Sequence, residues 1–159
     1  MIEKTIEIDV PYEEVYEFVA NDVQRLPEFV PIVKDVFEVS PGPIGEGTTF
    51  KEHTVIGPMK RVSNWRVAEL EPPKRVLWVG HQSDMEMTLT KHVSPAARGA
   101  IYSQVFEYRM YPSFRPLGWL LEKLIVHRQM SAVLDEVVSR IKEIIEAEHA
   151  PSSQQVETP

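Results

Sequence analysis

Residues 9–31 read DVPYEEVYEFVANDVQRLPEFVP. This stretch decides the fold, because a proline-led amphipathic pattern runs into an apolar elbow that is cornered by Pro27 and Pro31 and holds Leu26, Phe29 and Val30. Pro11 is read as the first helical position, where its missing N–H has no helical partner to lose, and Glu13 and Glu14 complement the positive end of the helix dipole. Val15, Phe18 and Val19 supply the buried stripe. Each later proline disfavours helix at the residue before it, so a short second helix or turn is expected near residues 21–26.

Upstream, Ile2, Ile6 and Ile8 share one parity and Glu3, Glu7 and Asp9 the other, the period of a strand with one wet face. Downstream comes KDVFEVS and then PGPIGEG, whose prolines and glycines enforce a turn between strands. Its GEG lacks the further glycines, or the Gly-Lys-Ser/Thr, of a phosphate-binding loop, and Thr48, Thr49 and Phe50 continue it as strand. Further strands are expected over residues 48–56, 60–70, 75–82, 85–93 and 99–110, broken at Gly57-Pro58, Pro72-Pro73, Ser83-Asp84 and the SPAARG turn. Short strands with no helix between them argue an antiparallel meander. In the last one Tyr102, Gln104, Phe106, Tyr108 and Met110 share the inward parity, against Glu107 and Arg109. Over residues 75–82, Val76 and Trp78 compete with Leu77 and Val79 for the interior, which leaves the facing of His81 open.

From residue 114 to 148 the apolar spacing becomes three and four, the mark of one long helix of roughly 45 Å. Its seam can be written Leu120, Leu124, His127, Ser131, Leu134, Val138, Ile141, Ile145, apolar with a polar interruption in the middle. A helix spanning a cavity can use such a break to present one hydrogen-bonding group to an apolar ligand. The residues that follow, HAPSSQQVETP, form an expected disordered polar tail over 149–159, leaving residues 1–148 as one domain.

Composition narrows the function. The 159 residues are 43% hydrophobic and 26% charged, an ordinary globular balance able to bury a core or a core with a hole. Acidic residues outnumber basic ones 24 to 17, for a formal charge of -7, which argues against nucleic acid. Cysteine is absent, so there is no disulfide framework or thiolate site. Neither a signal-peptide core nor a membrane-spanning apolar run is seen, so no integral membrane association and a cytoplasmic location are the expectation. Arg61, Arg66, Lys74 and Arg75 read as a solvated face. The histidines lie 28, 11, 35 and 22 positions apart with no His-Glu-x-x-His, so neither a metal nor another cofactor is expected. Ser139-Arg-Ile-Lys142 spells Ser-x-x-Lys without a Lys-Thr-Gly partner and sits late in an amphipathic helix.

The order of elements and four phrases, IDVPYEEVYEFVANDVQRLPEFVP, PGPIGEGTTF, WRVAELEPPKRVLW and RPLGWLLEKLIVHRQMSAVLDEVVSRIKEII, together resemble the START and plant pathogenesis-related (SRPBCC) helix-grip superfamily, in particular its polyketide cyclase/dehydrase and lipid-transport branch. The resemblance covers residues 2 to about 146. It implies an α+β fold in which a curved antiparallel sheet of about seven strands wraps a long C-terminal helix, with two short helices after strand one closing one end of a hydrophobic cavity. The iron-dependent ring hydroxylases that resemble this fold carry a paired-histidine motif that this chain lacks.

Three functions follow. The first is binding or transport of a hydrophobic small molecule, a lipid, isoprenoid or polyketide-like compound, by Leu26, Phe29, Val30, Trp65, Met87, Tyr102, Gln104, Phe106, Tyr108, His127, Met130, Ser131 and Leu134. The second is an aromatase/cyclase-like enzyme, with Tyr102 or Tyr108 polarising a carbonyl, His81 as base and Glu107 as a further candidate; His53 and His92 are weaker ones. The third is a protein-interaction module with an exposed apolar patch. The helical seam is also compatible with a coiled-coil dimer, so monomer and homodimer both stay open.

Overall fold

Strand β1 (Ile2–Ile8) leads into helix α1 (Tyr12–Ala20), a 3-10 turn (Val23–Arg25) and the one-turn helix α2 (Leu26–Phe29). Six strands follow, β2 (Val33–Phe37), β3 (Thr49–Ile56), β4 (Met59–Glu71), β5 (Arg75–Gln82), β6 (Met85–Pro95) and β7 (Ala100–Met110), and then the long helix α3 (Pro116–His149). The computed structural model describes residues 1–111 and 116–150. The helix start expected at 114 and the tail from 151 onward lie outside the described residues.

The strands form one antiparallel sheet in the order β1-β7-β6-β5-β4-β3-β2, a six-strand meander closed by β1 against β7. Tight turns join neighbours, as at Gly57, whose φ of 58° suits a residue without a Cβ. Register shifts between Val33 and Asp35 and between Val67 and Glu69 insert extra residues that bend the strands. This α+β helix-grip architecture is the one the resemblance implies.

The N-terminal elbow differs in detail. Pro11 caps α1 from outside, its carbonyl taking the N–H groups of Glu14 (3.0 Å) and Val15 (3.1 Å), so the helix begins one residue later than the sequence reading has it. Val15 and Val19 are buried, joined by Tyr16 and Ala20, whereas Phe18 is half-buried beside Phe29. The short helix or turn expected near residues 21–26 is the 3-10 turn Val23–Arg25, and a further one-turn helix follows at Leu26–Phe29, where Pro27 occupies the first turn and no helical N–H bond is lost.

Helix α3 is two halves with different surroundings. In the C-terminal half Leu134, Val137, Val138, Ile141 and Ile145 are buried, each such side chain contributing about 1.5–3 kcal/mol. Lys142 Nζ donates to the Glu7 carbonyl (2.7 Å), the Asp9 N–H donates to Glu146 (2.8 Å) and Lys4 pairs with Asp135 (3.1 Å), which fixes this half along β1. Arg25 bridges Glu28 and Glu148 and ties the elbow to the helix end. The N-terminal half is different: Leu120, Leu121, Leu124 and Ile125 are 52%, 62%, 67% and 56% exposed. The expected seam holds from Leu134 through Val138, Ile141 and Ile145 and is corrected at Leu120, Leu124 and His127, which are exposed.

Facing within β5 is also resolved. Val76 and Trp78 are buried and Leu77 and Val79 are only half-buried, which puts His81 on the outer, exposed side.

Candidate functional site

Cross-strand register aligns inward-facing side chains in rows. One runs Glu52, Ser63, Gln82, Met85, Met110; the next runs Phe50, Trp65, Gly80, Met87, Tyr108; a deeper one carries Val76, Lys91 and Gln104. Gly80 is required in its row because the Trp65 indole lies over it, and a Cβ there would sit 2.5 Å from the ring. Trp65 tilts against Trp78 at 6.0 Å, and Trp78 meets Phe50 edge-on at 5.1 Å.

Between these rows and the helices is a cavity of about 420 Å³. The elbow supplies Leu26, Phe29, Val30, Ile32 and Val33; the sheet supplies Trp65, Trp78, Met85, Met87, Leu89 and Phe106; α3 supplies Val126, Met130, Val133, Leu134 and Val137. Met59 and Ile125, both exposed, mark the rim. Leu134 of the seam read in the sequence borders the cavity, while Val126, Met130, Val133 and Val137 lie one position before seam residues.

Of the expected ligand-facing residues, Leu26, Phe29, Val30, Trp65, Met87, Gln104, Phe106, Met130 and Leu134 border this space. Four are placed elsewhere. Tyr102 is fully buried outside the lining, its hydroxyl taking a hydrogen bond from Gln104 Nε2 (2.6 Å), and burial with the nearby Asp22 charge holds its phenol well above the usual range. Tyr108 is half-buried with its hydroxyl 3.4 Å from the Lys123 carbonyl, and burial raises its pKa. His127 is exposed with its ring 6.4 Å from that of Tyr108, and Ser131 is half-buried on the helix flank. The catalytic candidates do not converge: His81 and Glu107 are exposed on the outer face, opposite Tyr102 and Tyr108, because alternate residues of a strand face opposite ways. His53 is exposed, stacked on Phe37 and paired with Asp35 (2.5 Å), and His92 is exposed. Arg61 departs from the solvated-face reading: it is half-buried at the cavity edge and paired with Asp84 (2.5 Å).

Three polar features of the wall escaped the sequence reading. Lys91 is buried, its ammonium donating to both Asp22 oxygens (2.9 Å each) and to the Val19 carbonyl (3.0 Å) while lying 3.8 Å above the Trp78 ring. Burial pushes the Asp22 carboxyl up and the Lys91 amine down, and their mutual attraction opposes both changes. Glu52, 7% exposed, accepts the Trp65 Nε1–H (2.9 Å); burial raises its pKa to about 7, with the indole bond pulling the other way. Ser63 accepts from Gln82 Nε2 (2.8 Å). Buried Trp78 Nε1 and Gln104 Oε1 have no hydrogen-bond partner among the described residues. No group of three or more His, Asp or Glu residues suited to a metal occurs among the described residues, and no described helix is long and apolar enough to cross a membrane.

A family model described as polyketide cyclase / dehydrase and lipid transport matches residues 1–146. Among solved structures, the chain is similar to TTHA0849 from Thermus thermophilus (TM-score 0.74, 18% identity, covering 94% of this chain and 99% of that one). It is similar also to CV1439 from Chromobacterium violaceum (TM-score 0.65, 18% identity, 91% and 96%) and to Ara h 8.0201 (TM-score 0.62, 13% identity, 92% and 97%). At these identities the likeness is one of fold. No curated protein matches the sequence.

Proposed function

We propose, from the premise that this chain belongs to the polyketide cyclase / dehydrase and lipid transport family, that it binds a hydrophobic small molecule between its sheet, its elbow and α3. The observation that carries this reading is the cavity of about 420 Å³ walled by Phe29, Trp65, Met87, Phe106, Met130 and Leu134. That volume falls in the range of about 300–1,000 Å³ common to small-molecule sites. Burying about 300 Å² of apolar ligand at about 25 cal/mol per Å² contributes about 7.5 kcal/mol before association costs, so useful affinity needs few polar contacts. Methionines on both the sheet and helix walls suit an adaptable fit.

A binder is favoured over a cyclase because the four residues expected to move protons lie off the cavity wall, and Lys91 is held by Asp22. Native mass spectrometry of gently purified protein tests the reading. Adducts of apolar mass, displaced by added lipid or aromatic compounds, are expected; empty spectra together with no shift in melting temperature across both panels would overturn it.

A further inference from the structure

The geometry points to a carbonyl-seating subsite on the β3–β4 side of the cavity, in which Glu52 and Ser63 donate hydrogen bonds to one oxygen of an otherwise apolar, uncharged ligand. This deepens the cavity reading and rests on it. Glu52 and Ser63 are Cα partners across the two strands, both border the cavity, and both are more than nine-tenths buried. Indole N–H is a donor only, so the Trp65 bond makes Glu52 Oε1 the acceptor oxygen and leaves Oε2 without a partner among the described residues. Ser63 Oγ already accepts from Gln82, whose own carbonyl oxygen faces the Arg61 guanidinium at 3.5 Å. The Ser63 hydroxyl hydrogen likewise has no acceptor among the described residues. Side chains opposed in this way start about 4.5–5.5 Å apart at Cβ, and a carbonyl oxygen offers two lone pairs, one to each donor.

The charges around Glu52 select its form. On β3 and β2, His53 and Asp35 pair with each other on the outer face, and Val36 is the residue opposite Glu52. On β4, Arg61 is paired with Asp84; on β6, Lys91 is paired with Asp22; near α2, Arg25 is engaged by Glu28 and Glu148; on α3, Glu122 borders the cavity and is exposed. No cation is paired with Glu52 among the described residues, and a carboxylate buried without one is costly, so the neutral acid is the form the site prefers. Its pKa of about 7, raised by burial, agrees with that. The neutral acid donates from Oε2, and it binds an acceptor best below pH 7.

The test uses 2-acetylnaphthalene, its hydrocarbon near-isostere 2-isopropylnaphthalene and the amine 2-(aminomethyl)naphthalene, titrated calorimetrically into wild type, Glu52→Gln and Ser63→Ala. In wild type at about pH 6 the ketone is expected to bind roughly three- to tenfold more tightly than the hydrocarbon, the worth of a net hydrogen bond. The advantage should shrink as pH rises through 7 to 8, persist at pH 8 in Glu52→Gln, whose amide keeps both an acceptor for Trp65 and a donor, and fall in Ser63→Ala, where the ketone loses more affinity than the hydrocarbon. Equal, pH-independent binding of ketone and hydrocarbon would overturn the subsite while leaving the cavity reading intact. Tighter binding of the amine than of the ketone at pH 8 would overturn the carbonyl assignment. No binding of any of the three would overturn the cavity reading and the subsite with it.

Discussion

Replacing Glu52 by glutamine in the ligand-free protein should turn a pH-dependent cost into a pH-independent one. The folded carboxyl titrates at about 7 against an ordinary value of 4.5. Between those values the folded state holds a proton that the unfolded state has lost, so the contribution of Glu52 to stability falls as pH rises through this window and is level above it. The difference amounts to roughly 2 to 3 kcal/mol between about pH 5 and pH 8. Glutamine keeps the acceptor for the Trp65 indole and fills the same space, yet has no proton to lose. Urea unfolding of wild type and Glu52→Gln at both pH values, compared as a difference, cancels the titration of every other group. The variant should be close to wild type at pH 5 and more stable at pH 8 by an amount of that order, with unchanged denaturant slopes. A difference that is the same at both pH values would refute the assignment of Glu52 as an uncompensated buried acid.

Gly80→Ala forces a methyl into the Trp65 ring and should cost about 1–3 kcal/mol, read from the urea midpoint, with a change in tryptophan emission as the indole leaves Glu52. Lys91→Met strands the Asp22 carboxylate and should cost about 3–5 kcal/mol, while Lys91→Met combined with Asp22→Leu should recover most of it; thermal melts of the three proteins decide. Leu120→Lys and Leu124→Lys alter side chains that α3 exposes and should each change stability by no more than about 0.5 kcal/mol; a core-sized loss in equilibrium unfolding would restore the seam read from the sequence.

The meander was legible because most of its turns carry Gly or Pro and Ser83-Asp84 marks the remaining break, so the boundaries of β3 to β7 fall within a few residues of the reading. The cavity wall was legible where a residue's parity was unambiguous, as at Gln104 and Phe106. The helix seam was legible only from Leu134 onward, because periodicity reports which faces are apolar and not which of them the fold covers; Leu120 and Leu124 fit the period yet stay exposed. Lys91 and Glu52 did leave a signal. Each interrupts an inward column, Met85-Met87-Leu89-Lys91-Val93 and Phe50-Glu52-Thr54, and a charge in such a column is either an error of parity or a buried polar group with a partner. The partners could not be read, since Asp22 is 69 residues from Lys91 and Trp65 is 13 from Glu52, joined only when the elbow and the sheet assemble. His127 drew attention as a polar break in an apolar seam, but in that half of α3 the residues bordering the cavity include Val126, Met130 and Val133, and His127 is exposed.

The central claim, that an apolar guest sits between the sheet and the α3 segment from Val126 to Val137, is tested most directly by isotope-filtered NMR on methyl-labelled protein with 2-isopropylnaphthalene. Intermolecular contacts to the methyls of Met87, Met130, Val133 and Leu134, and none to those of Leu121 and Leu124, are the predicted result. Contacts confined to Leu121 and Leu124, or no contacts at saturating guest, would contradict it.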